Sequence, residues 1–97
     1  MSLKEAIKSD VKISPPKRYV VILLNDDFTS MDFVVEVLMD IFLHSIEKAI
    51  SIMLKVHEKG QGVCGVYTRE IAETKVTQVH ERAKRSDFPL RAIMKEE

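Results

Sequence analysis

Residues 19–32 read Tyr19-Val-Val-Ile-Leu-Leu-Asn-Asp-Asp-Phe-Thr-Ser-Met-Asp32, and the fold turns on them. Tyr19 to Leu24 is short, apolar and rich in β-branched residues. It reads as a central strand buried on both faces. Asn25-Asp26-Asp27 ends it, because these side chains bond nearby backbone and favour turns. Thr29-Ser30-Met31-Asp32 then fits a capping box, with Asp32 in the usual place of glutamate. A helix is expected over about 30–43, with Met31, Val34, Val35, Leu38, Ile41 and Phe42 at helical spacing.

Downstream, His44-Ser45 breaks that pattern and Ser45 can cap a second helix over about 46–59. Its apolar stripe reads Ile46, Ala49, Ile50, Met53, Leu54 and His57, and Gly60 ends it. The short join predicts an antiparallel or steeply angled helix pair. Residues 62–68 read as a second strand. Thr68 can cap a third helix over about 69–85, with Ala72, Val76, Val79 and Ala83 inward and Glu70 near its positive end. Ser86 to Pro89 is a turn, and residues 90–95 alternate as an edge strand. The order β-α-α-β-α-β predicts an α+β fold: a small antiparallel three-stranded sheet with three helices packed on one face.

Upstream, Pro15-Pro16 makes a stiff joint. Residues 1–16 are expected to form a flexible N-terminal arm, with a short docked helix as the alternative; residues 17–97 form the domain. A chain of 97 residues holds a single core at this size. Hydrophobic residues at 45% and charged residues at 31% suit a globular domain rather than a disordered tail. Fifteen basic and fifteen acidic residues balance, so the broad basic field of a nucleic-acid or membrane-surface binder is missing. Few aromatics and no Trp also argue against a platform for stacking bases. The apolar run is too short to span a bilayer, and the first residues lack the apolar core of a secretory signal. The single cysteine, Cys64, makes no internal disulfide, which predicts a cytoplasmic setting.

Three features carry chemistry. Asn25-Asp26-Asp27 reads either as a solvated turn or as a cluster of acceptors suited to a cation. His57 reads either as a satisfied boundary histidine or as a neutral imidazole accepting a hydrogen bond. Met31 and Met53 read either as core filler or as walls of an adaptable pocket. Taken together, the functional readings give an apolar pocket beside an ammonium clamp. No His or Cys spacing suggests a metal site, and the three glycines around Cys64 match no phosphate-binding loop. Asp26 and Asp27 are chain neighbours and need not face each other as an acid/base couple. The run from His80 to Arg85 reads as a helix end complementing the dipole.

Val21-Ile-Leu-Leu-Asn-Asp-Asp-Phe-Thr-Ser-Met-Asp-Phe-Val-Val35 resembles the opening motif of the ClpS family, adaptors of the bacterial Clp AAA+ protease. Met53-Leu-Lys-Val-His57, Cys64-Gly-Val-Tyr-Thr-Arg-Glu-Ile-Ala-Glu-Thr-Lys75 and Phe88-Pro-Leu90 are similar to its later motifs, in order, over residues 15–97. The resemblance implies the three-stranded antiparallel sheet and three helices derived above. It implies a non-enzymatic, cofactor-free adaptor for N-degrons: proteins beginning with Leu, Phe, Tyr or Trp, delivered to the ClpA unfoldase that feeds ClpP. It implies that Asn25, Asp27 and His57 hold the substrate's α-amino group, with Asp26 adding charge. Leu23, Met31, Val34, Met53, Val56 and Leu90 would line the side-chain pocket, Thr29 its rim, and Met31 would exclude Ile and Val. Glu70, Thr74 and Lys75 would dock on the unfoldase's N-terminal domain, and the arm would engage it during hand-over. Ser30 departs from the family's common proline, with little effect expected at a helix start. The short arm also departs, which bears on delivery. No nucleic acid, membrane or metal is implied, and a monomer is expected. The competing readings are a generic protein-interaction domain, a small hydrolase using Cys64 and His57, and a nucleic-acid binder.

Overall fold

The computed structural model describes residues 14–97. Most of the expected arm, residues 1–13, lies outside the described residues. Residues 14–17 are exposed and carry no regular structure.

β1 (Arg18–Leu24) runs up the centre of a three-stranded antiparallel sheet, flanked by β2 (Gln61–Thr68) and β3 (Arg91–Glu96) in the order β2-β1-β3. Val21, Ile22 and Leu23 are all buried, as expected for a central strand of this composition. Val21 and Leu23 join the core, whereas Ile22 points the other way, opposite Val63 on β2 and Ile93 on β3. The β1–β2 register shifts between Val21 and Ile22, so Cys64 is the extra residue of a bulge.

Three helices complete the predicted order: α1 (Met31–Asp40), α2 (Ile46–Lys59) and α3 (Arg69–Arg85). α1 is capped by Ser30, whose hydroxyl accepts from the Phe33 N–H at 3.1 Å. The expected cap, Thr29, is spent elsewhere. α1 also ends earlier than its apolar pattern suggests. Leu43 adopts a left-handed φ of 58° and the His44 N–H reaches back to the Leu38 carbonyl, which closes the helix without a glycine. Ser45 caps α2 as predicted, accepting from the Lys48 N–H at 3.2 Å. Gly60 ends α2 with φ at 88°, where a side chain would be strained. Thr68 stands at the N-cap of α3 but makes no side-chain capping bond.

The inner face of α2 corrects the sequence reading. Ala49, Ile52 and Val56 are buried, while Ile46, Ile50 and Leu54 stay 41–50% exposed. α2 packs against α1 and against β2. Gly62 permits the second contact, since a Cβ there would lie 2.8 Å from the Val56 side chain. α3 lies across the sheet through Ala72, Val79 and Ala83. Lys75 Nζ donates to the Ile41 carbonyl at 2.6 Å, and Arg82 pairs with Asp40 at 2.6 Å. Both tie α3 to the end of α1.

Candidate functional site

The β1–α1 turn is built by its own side chains. Asp26 accepts from the Phe28 N–H (2.8 Å), the Thr29 N–H (2.7 Å) and the Thr29 hydroxyl (2.7 Å). Partial burial pushes the Asp26 carboxyl up, but those three bonds outweigh it and hold the group below the ordinary carboxylate range. Asp26 is therefore the turn's internal brace. The Asn25 N–H donates to the Gly60 carbonyl at 2.9 Å. That bond anchors the turn to the end of α2, one helical turn from His57.

The result is a cavity of about 400 Å³ lined by residues 25–31 of the turn, Val34 of α1, and Met53, Val56 and His57 of α2. The structure thus brings Asn25, Asp26, Asp27, Thr29, Met31, Val34, Met53, Val56 and His57 around one space. Leu23 and Leu90 do not line it. They are 0% and 3% exposed, in the same packed cluster as Val34 and Val56.

The chemistry divides by wall. Met31, Val34, Met53 and Val56 make the apolar side. Asn25, Asp27 and His57 make the polar side, and all three are exposed. Among the described residues none of these three side chains has a hydrogen-bond partner, whereas His44 is engaged by the Cys64 carbonyl and His80 accepts from the Ala92 N–H at 3.0 Å. Among the described residues, then, His57 lacks the partner that a satisfied boundary histidine would have. Among the described residues the lining holds two carboxylates and no lysine or arginine, so the space favours a cation.

Sequence reasoning passed over Phe28 and Ser30 as lining residues. Phe28 is 78% exposed at the mouth. Its signal was an aromatic inside an otherwise polar turn.

The remaining predicted positions lie on α3. Glu70 and Thr74 are exposed, and the Thr74 hydroxyl donates to the Glu70 carbonyl at 3.0 Å. Lys75 is half-buried, with Nζ 5.9 Å over the Tyr67 ring. Cys64 is 1% exposed, does not line the cavity with His57, and has its thiol pushed up to about 12 by burial, partly offset by the Leu23 backbone. A buried thiol of that kind is no nucleophile. Among the described residues no cluster of His, Cys, Asp and Glu is placed to hold a metal, and no helix is long and apolar enough to cross a membrane.

The family model for the ATP-dependent Clp protease adaptor protein ClpS matches residues 14–93. The chain belongs to the ClpS family. It is 64% identical to the ClpS of Oleidesulfovibrio alaskensis over 88% of this chain and 82% of that relative. It is 56% identical to the ClpS of Wolinella succinogenes over 93% of this chain and 88% of the relative. The ClpS of Campylobacter jejuni subsp. doylei is 52% identical, over 98% of this chain and 99% of its own length. Among solved structures, Agrobacterium tumefaciens ClpS2 bound to L-phenylalaninamide superposes with a TM-score of 0.83 at 38% identity, over 86% of this chain and all of that one. Members of the ClpS family are adaptors of the Clp protease, so this chain is an adaptor and not an enzyme.

Proposed function

We propose that the chain binds proteins whose first residue is Leu, Phe, Tyr or Trp, and that it delivers them to a ClpA-type unfoldase of the ClpAP protease. The observation that carries this reading is the pairing, in one cavity, of an apolar wall with three acceptors that have no partner among the described residues. A free α-amino group has a pKa near 8, so it is mostly protonated at pH 7. Asn25, Asp27 and the His57 imidazole offer an ammonium the acceptors it needs, and Asp26 adds charge while bracing the turn. Met31, Val34, Met53 and Val56 shelter the first side chain, with Thr29 at the rim and Leu23 and Leu90 as buried backing. Met31, 45% exposed, stands as the gatekeeper against Ile and Val.

Magnitudes explain why both features are required. Hydrogen bonds to a charged group contribute about 1.5–3 kcal/mol net. Burying a Leu or Phe side chain contributes about 1.5–3 kcal/mol. Neither alone offsets the cost of immobilising a peptide, so recognition draws on both. The bound molecule of the ClpS2 neighbour, L-phenylalaninamide, carries both a free amine and a bulky apolar side chain.

For delivery, Glu70, Thr74 and Lys75 form the surface for the unfoldase's N-terminal domain. The arm engages the unfoldase during hand-over, and the adaptor works in the cytoplasm as a monomer. Degradation of a Phe-first reporter by ClpA and ClpP tests this. Glu70→Ala is expected to slow adaptor-dependent degradation while peptide affinity stays unchanged. Equal degradation by both proteins would remove Glu70 from the docking surface.

A further inference from the structure

The flank of α2 facing away from His57 carries a second concavity. Lys48, Ile52, Lys55 and Lys59 recur at i, i+4, i+7 and i+11, so they share one helical face. That face and residues 61–65 of β2 enclose a groove of about 560 Å³. Its floor is apolar: Ile22, Ile52 and Cys64 are 6%, 3% and 1% exposed. Val63, 52% exposed, forms the opposite lip. Every ion pair among the described residues lies elsewhere, so Lys48, Lys55 and Lys59 have no carboxylate partner there. Among the described residues no acidic one lines the groove. In a chain with no net charge, this is a local concentration of uncompensated positive charge over an oily floor.

We infer that this groove is a docking site for an extended acidic segment of a partner protein, in which carboxylates alternate with apolar side chains. Its length argues for a chain rather than a small anion. Eleven helical steps separate Lys48 from Lys59, about 16 Å at 1.5 Å per residue. That is about five residues of extended peptide. Alternate side chains of such a peptide point to opposite sides, so apolar ones meet the floor while carboxylates meet the lysine rim. The four-residue step from Lys55 to Lys59 rises about 6 Å, close to the roughly 6.7 Å between alternate residues of a strand. A nucleic-acid strand would match the lysines but set its phosphates over an apolar floor that has no aromatic to stack a base.

The test uses the full chain and a labelled, N-acetylated peptide of about eight residues alternating Glu and Val, long enough to cover the groove. Acetylation removes the ammonium that the other cavity is proposed to hold, so the two sites are read separately. Binding is expected by anisotropy, with amide shifts centred on Ile22, Lys48, Ile52, Lys55, Lys59 and residues 61–65 rather than on residues 25–34, and no displacement by a Leu-first peptide. The triple variant Lys48→Gln/Lys55→Gln/Lys59→Gln should weaken it about tenfold, since three exposed ion pairs are lost. Val63→Asp, at the half-exposed lip, should weaken it independently, with an unchanged circular dichroism spectrum verifying the fold. Absent binding, indifference to both variants, equal binding of a Glu-Ser repeat, or tighter binding of a single-stranded oligonucleotide would each overturn the assignment.

Discussion

The two ends of α2 hold contrasting polar groups. At its start, His44 is engaged by the Cys64 carbonyl, and beside it Lys75 and Arg82 of α3 clamp the end of α1. At its finish, Asn25, Asp27 and His57 converge on a cavity with no internal partner among the described residues. The first set is half-buried and bonded across elements, so it helps to hold the fold together. Exposed acceptors gathered beside an apolar wall gain nothing for the fold by standing there. The difference separates residues that stabilise the structure from residues proposed to meet a ligand, and it can be attacked from both sides.

The largest effect is expected at the open end. Asp27→Ala and His57→Ala should each weaken a Leu-first peptide about 10–100-fold, the value of one bond to a charged group. Their melting temperatures should stay close to that of the parent protein. A marked loss of stability would put these residues among the structural set.

At the closed end the pattern should invert. Lys75→Met removes a charge-assisted bond and strands the Ile41 carbonyl, so unfolding stability should fall by about 1–3 kcal/mol. Peptide affinity should change less than about twofold, well under one lost bond to a charged group. Chemical denaturation beside peptide titration reads both quantities. Because Lys75 is already committed to Ile41, Glu70 and Thr74 are the cleaner probes of unfoldase docking.

Met31→Ala should shift preference several-fold towards Ile and Val by opening the pocket mouth, a change within the roughly 1–3 kcal/mol that pocket shape controls. A panel of peptides differing only at the first residue measures it, and unchanged selectivity would deny the gatekeeper.

The smallest effect concerns Asp26, which braces the open end. Its carboxyl is held below the ordinary range, so its ionised form favours folding. That stability is full above the unfolded value of about 3.9 and drains away as pH falls through the lower folded value. Asp26→Asn should flatten the acid limb of a denaturation midpoint measured from about pH 5 to pH 2. An unaltered limb would show that the brace adds nothing.

Much of the fold was legible because local signals agreed. The β-branched run at residues 19–24, the cap at Ser45 and the stop at Gly60 each have one reading. The inner face of α2 was not legible. Apolar residues occupy more than one stripe of this helix, and only its packing beside β2 selects Ile52 and Val56 over Ile50 and Leu54. The early end of α1 was hidden because a leucine rather than a glycine takes the left-handed turn. Most residues lining the candidate cavity were legible through their motif, though Phe28 and Ser30 were not, while the bond from Asn25 to Gly60 that brings the turn beside His57 leaves no periodic signal.

The most direct measurement is fluorescence anisotropy with a labelled Phe-first peptide beside its N-acetylated twin at pH 7. Binding of the free amine with at least about a hundredfold loss on acetylation is expected, because the ammonium's partners at Asn25, Asp27 and His57 act together. Equal affinity for the two peptides, or binding of neither, would contradict recognition of the chain's first residue.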